Sequence, residues 1–235
     1  MATASAPKGN VLLLHGLGRT GLSMQMPGHA LRRRGYRTLA PSYGLNRTMS
    51  DIVAWLAPRL DTFTGGHDAP LHIVTHSLGG LVARALITAR RPATLGRVVM
   101  LAPPNAGSGL ADLVAELGLD TMLFGGVGAH LGTRRPAAIE AELGSVDYDL
   151  GIIAGNRAFD AGLAGRFLGG PHDGKVSVEA TKLPGMRDHI VLPVQHTLMP
   201  HNPRVIAEIV RYLETGSFSD SASRTAATTP GSRDS

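Results

Sequence analysis

Apolar positions along the chain follow two rhythms. Short, mostly apolar runs at 11–14, 36–40, 71–75, 98–101, 150–154 and 190–194 have strand length. Between them lie segments with helical spacing: 22–34 closed by Gly35, 51–63 behind a Ser50 cap, 78–90, 136–143 and 203–214. Strands alternating with helices predict a parallel sheet with helices on both faces. The rhythm breaks after Pro103-Pro104, where a Gly-rich apolar stretch over 107–132 carries Leu110, Leu113, Val114 and Leu117 at helical spacing. It reads as an excursion above the sheet. A loop through Asp173 leads to a short extended piece over 175–179. No internal repeat is visible. The chain therefore divides into an arm (1–9), one domain (10–216) and a tail (217–235) too rich in Ser, Thr, Ala and Arg to bury a face, hence expected to be disordered.

Composition narrows the function classes. A chain of 235 residues, 43% hydrophobic and 17% charged, suits one globular domain. Its 30 glycines and 4% aromatics imply tight turns and aliphatic binding surfaces, which argues against base stacking. The net charge of +5 is spread over short runs, Arg32-Arg33-Arg34, Arg90-Arg91 and Arg134-Arg135, near helix ends. There they are expected to be solvated and to complement helix dipoles, so no nucleic-acid partner is expected. An anionic lipid surface stays open as a transient contact. Without cysteine, disulfides and thiolate metal sites are excluded. The first ten residues lack a signal-type apolar region, and no stretch reaches the length of a membrane span. A cytoplasmic location is the default expectation, secretion remaining open if a leader once preceded Met1.

The sharpest chemical signal is Thr75-His76-Ser77-Leu78-Gly79-Gly80, between a strand and a helix. A serine at such a turn is pushed outward at the C-terminal edge of the sheet, and small residues two positions away let strand and helix approach. The competing reading is that Ser77 only caps the helix. Upstream, Leu14-His15-Gly16-Leu17-Gly18 follows the first strand. The same stretch spells Gly16-Leu17-Gly18-Arg19-Thr20-Gly21, a dinucleotide fingerprint, but the acid that should close the second strand is missing, since no Asp or Glu precedes Asp51.

Taken together, these motifs resemble the small bacterial lipase and esterase branch of the α/β-hydrolase superfamily, with Thr75 standing where the family's turn has its first glycine. The resemblance extends over about residues 10–218. It includes Asp173-Gly174-Lys175-Val176-Ser177 and the ending from Asn202-Pro203 through Tyr212 to Phe218. It implies a minimal α/β-hydrolase fold: about six parallel strands, helices on both faces, and no leading antiparallel strands. It further implies Ser77 as nucleophile, Asp173 as acid and His196 as base, in the chain order of the family, with backbone N–H groups of Leu17 and Leu78 as the oxyanion hole. Asp160 is the alternative acid and His201 the alternative base. His15, His76 and Asn105 are expected near the cleft. His72 and His76 lie four apart, but no third ligand at metal spacing accompanies them, so no metal is expected. Such a triad hydrolyses esters through an acyl-enzyme without any cofactor. The expected partner is a small acyl ester of short to medium chain, with 107–132 as acyl-binding wall or lid. Lipase, thioesterase and acyltransferase activities use the same triad, and a non-catalytic binding module on this scaffold is the reading from another class.

Overall fold

Strands β1 (Asn10–Leu14), β2 (Arg37–Leu39), β3 (Leu71–His76), β4 (Leu95–Leu101), β5 (Leu150–Gly155) and β6 (Asp188–Leu192) form one parallel sheet in the order β2-β1-β3-β4-β5-β6. The structure, a computed structural model, describes residues 7–44, 46–65, 69–158, 165 and 167–219, without the side chain of Thr121.

The strands read as nearly continuous apolar runs because both faces are covered. Leu12 and Leu14 of β1 pack with Ile73, Met100 and Ile152 beneath α2 (Met49–Thr64) and α3 (Leu78–Ala89). Val11 and Leu13 turn to the opposite face, joining Val74, Val99 and Ile153 beneath α1 (Gln25–Arg33) and the final helix, Pro203–Thr215. Each such aliphatic side chain contributes about 1.5–3 kcal/mol by leaving water. The order also reverses at β1, whose neighbours β2 and β3 lie on opposite sides. In open parallel sheets the crevice at such a reversal, beyond the strands' C-terminal ends, is where ligands bind. His15-Gly16 follows β1 there and Ser77 follows β3.

Local chemistry shifts several predicted boundaries. The helix expected behind Ser50 is capped by Thr48 instead: its hydroxyl accepts the Asp51 N–H (3.2 Å), while the Asp51 carboxylate accepts the Thr48 N–H (3.2 Å). The piece expected to be extended over 175–179 is a turn followed by a short helix, Val178–Thr181, because Ser177 caps Ala180 N–H (3.2 Å). The tail does not begin at 217. Phe218 is fully buried against Tyr212 (ring centroids 4.7 Å), and its N–H donates to Asp188 (2.8 Å). Residues 220–235 and the alternative acid Asp160 lie outside the described residues.

The excursion folds into helices Gly109–Glu116, Asp120–Phe124 and Gly128–Leu131, and it buries Ala111, Val127 and Leu131. Arg135, expected to be a solvated helix-end cation, fastens its base. The side chain is 2% exposed and donates to the carbonyls of Pro104 (2.6 Å), Asn105 (2.6 Å) and His130 (2.7 Å). A guanidinium tolerates such burial when its fork of donors meets several carbonyls.

Candidate active site

Ser77 occupies a backbone conformation (φ 53°, ψ −123°) that side chains other than glycine rarely adopt. Strain of this kind costs about 1–3 kcal/mol and persists only where the surroundings impose it. Here the N–H of Ser77 is tied to Leu101 O (2.8 Å), and α3 packs directly on the end of β1. A Cβ on Gly79 would stand 2.5 Å from Leu14 O and 2.9 Å from His15 O, so only glycine permits that approach. The Ser77 hydroxyl makes no capping bond to α3. The turn therefore presents the hydroxyl rather than spending it on the helix. Thr75, at the position of the missing glycine, is a fully buried residue of β3.

His196 and Asp173 meet by side chain, with His196 Nδ1 2.7 Å from Asp173 Oδ2 and both buried. The second carboxylate oxygen, Oδ1, accepts the N–H groups of Lys175 (3.0 Å) and Val176 (2.9 Å). The backbones are joined as well, His196 N–H donating to Asp173 O (3.1 Å). A carboxylate can only accept, so Nδ1 carries the proton and Nε2 is left as the basic nitrogen. His201, the alternative base, sits exposed in a 3₁₀ turn, Met199–His201, ahead of the final helix.

Two further histidines brace the arrangement. His76 donates Nε2–H to the carbonyl of His196 (3.0 Å), with the two rings 4.9 Å apart. Burial, then the neighbouring His196, hold its pKa well below the usual histidine value, so it stays neutral. His15 donates from Nδ1 to Gly16 O (2.9 Å) and accepts the Tyr43 N–H at Nε2 (3.1 Å), and burial lowers its pKa too. Tyr43 stacks on that ring (3.9 Å between centroids) and its hydroxyl donates to the His15 carbonyl. The loop carrying Leu17 is thus clamped from behind. Among the described residues, the N–H groups of Leu17 and Leu78 are not bonded to any backbone carbonyl.

Ser77, His76 and His196 line one cavity of about 110 Å³ together with Gly16, Leu17 and Thr197. Its apolar wall is Leu110, Ala111, Phe124 and Leu131 from the excursion, plus Val176.

Comparison with known proteins bears on the fold. Residues 38–123 match a family described as a domain of unknown function (DUF7379), which is less than half of the chain. No curated protein sequence matches. Among solved structures, the mature form of the Bacillus licheniformis lipase BlEst2 superposes with a TM-score of 0.70 at 19% identity, covering 92% of this chain and 95% of that one. The fold is that of the α/β-hydrolases. Phospholipase PlaB from Legionella pneumophila is similar at TM-score 0.69 and 18% identity, covering 89% of this chain and 60% of the other. The metagenomic carboxyl esterase MGS0156 follows at TM-score 0.63 and 16% identity, covering 82% and 65%.

Within this fold, the residues singled out in sequence separate into two groups. Ser77, His196, Leu17 and His76 face the cavity; Asp173 stands directly behind His196, and Leu78 is buried at the start of α3. His15 and Asn105 do not line it. His15 supports the loop from behind, and Asn105 is a structural tie, donating from Nδ2 to Thr181 O (2.8 Å) while its own carbonyl takes Arg135. His72, whose Nδ1 accepts the Arg97 N–H (2.9 Å), is likewise structural. Sequence reading passed over Tyr43, Arg19 and Lys175. Tyr43 lies in a loop with no motif, and its role exists only because the chain folds back onto His15, 28 positions earlier.

Proposed function

We propose that this chain is a serine carboxylic-ester hydrolase acting through an acyl-enzyme on Ser77. The observation that carries the reading is the buried His196–Asp173 pair (2.7 Å), whose histidine opens onto the same cavity as a serine held at a strained strand-to-helix turn. A capping serine or a packing histidine needs neither the strain nor the buried carboxylate.

In the reaction, Ser77 attacks the ester carbonyl while His196 Nε2 takes its proton. Asp173 keeps the ring in the tautomer that can accept it and stabilises the imidazolium. The oxyanion of the tetrahedral intermediate is received by the N–H groups of Leu17 and Leu78. The latter opens α3, where a helix has unsatisfied donors and a partial positive charge. His196 then protonates the departing alcohol. Water, deprotonated by the same histidine, releases the acid and returns Ser77. The acyl chain lies along Leu110, Ala111, Phe124, Leu131 and Val176, so the excursion serves as the acyl-binding wall, and the small cavity favours short to medium chains.

Intact-mass labelling with a fluorophosphonate tests this. A single adduct on the wild type is expected, absent from Ser77→Ala and far slower in His196→Ala than in His201→Ala. A folded wild-type protein that takes no adduct beside a working control enzyme removes the catalytic reading and favours a binding module.

A further inference from the structure

The proposed reaction leaves two cations at the cavity without a task. Arg19 and Lys175 both line it, both are exposed, and no Asp or Glu lies among its lining residues. Several exposed cations elsewhere are paired with an acid, among them Arg90 with Asp61 (2.7 Å), Arg134 with Glu116 (3.2 Å) and Lys182 with Glu179 (2.7 Å). Among the described residues, Arg19 and Lys175 have no such acid. Their backbones are nonetheless held by the site. Arg19 N–H donates to Gly16 O (3.2 Å) in the loop that carries Leu17, and Lys175 N–H donates to Asp173 Oδ1 (3.0 Å). Both charges reach inward far enough to oppose protonation of His76. An unscreened positive rim around an otherwise apolar cavity raises the local concentration of anions and draws negative charge toward the reacting centre.

We propose that Arg19 and Lys175 select esters whose alcohol part carries an anionic group, a carboxylate or phosphate, while the acyl chain occupies the apolar wall. The assignment rests on the hydrolase reading above. The alcohol part is the one assigned to them because the excursion and Val176 make the acyl wall apolar, whereas both cations are exposed at the cavity. The same charge chemistry would also suit an anionic lipid surface, so the test separates a charged substrate from a charged surface.

The measurement is kcat/KM on para-nitrophenyl hexanoate and on its ring-carboxylated counterpart, each corrected for its rate with hydroxide, in the wild type, Arg19→Gln, Lys175→Gln and the double variant. An exposed charge pair is worth up to about fivefold, so each single change should lower the carboxylated-to-neutral ratio by about two- to fivefold and the double change by about tenfold. Raising the salt should lower the wild-type ratio in the same direction. A double Arg19→Glu, Lys175→Glu variant should favour the neutral ester. Hydrolysis of both esters with a ratio that the double Gln variant leaves unmoved overturns the proposal. A parallel sedimentation uses phosphatidylcholine vesicles with and without phosphatidylglycerol. Loss of binding to the anionic vesicles in the double variant, with the ester ratio unmoved, assigns the cations to a surface and equally overturns the substrate selection. Failure to hydrolyse either ester, together with no fluorophosphonate adduct, sinks the hydrolase reading itself.

Discussion

Asp173→Asn isolates the role of the buried carboxylate because the structure dictates how the amide must sit. Asp173 Oδ1 accepts two backbone N–H groups, from Lys175 (3.0 Å) and Val176 (2.9 Å), and only the amide oxygen of asparagine can take that place. The NH₂ group then occupies the position of Oδ2, which lies 2.7 Å from His196 Nδ1. An amide nitrogen can only donate, so Nδ1 must become the acceptor and the ring proton moves to Nε2. The nitrogen that should take the Ser77 proton is thereby blocked, and the imidazolium formed during the reaction loses its counter-charge. A triad with the wrong tautomer loses about 10⁴ in kcat, equivalent to about 5.5 kcal/mol of barrier. The fold loses much less, about 1–3 kcal/mol, because the hydrogen-bonded shape survives. Initial rates on para-nitrophenyl hexanoate give kcat, Ser77→Ala sets the background, and a circular-dichroism melt shows that the variant is folded. A folded Asp173→Asn protein whose kcat stays within about tenfold of wild type would refute the tautomer argument.

Three other outcomes follow from the same geometry. His76→Phe removes the bond to the His196 carbonyl, worth about 1 kcal/mol net, and should lower kcat about fivefold with little change in KM. His76→Gln, able to donate to the same oxygen, should recover part of that loss, and equal kcat in both variants would reduce His76 to a space-filler. Gly79→Ala forces a Cβ to within 2.5 Å of Leu14 O and should lower unfolding stability by about 1–3 kcal/mol, an unchanged urea midpoint being the contrary result. His72 has its pKa pulled down to about 4, by burial first and then by Arg97, so it stays neutral in the folded protein while the unfolded chain takes up its proton below the ordinary value of 6.5. Its contribution is therefore complete above pH 6.5 and is lost as the pH falls toward 4, about 3 kcal/mol in all. Urea melts at pH 7 and pH 4.5 should show a smaller drop in His72→Gln than in wild type, and equal drops would clear His72 of that role.

The alternation of strands and helices was legible because it depends on neighbours in the chain. Runs such as 11–14 and 98–101 are apolar at every position since both sides of their sheet are covered. Ser77 was legible for the same reason, being wedged between a strand and a helix with Gly79 and Gly80 behind it. Errors arose where side chains compete for backbone groups over a few residues. Ser50 and Thr48 are both capping residues by type, and the reciprocal bond to Asp51 decides for Thr48. Arg135 looked like any surface arginine until three carbonyls gathered around it.

By itself, then, the sequence determined the alternation of the main strands and helices and which residue types could carry acyl chemistry, because propensity and periodicity are local properties. Only the tertiary structure decided which of those residues meet. His196 reaches Asp173 across 23 positions, Tyr43 reaches His15 across 28, and His76 reaches the His196 carbonyl across 120. Those meetings come from the order in which the strands pair and from the reversal at β1, which gathers loops distant in the chain at one edge of the sheet.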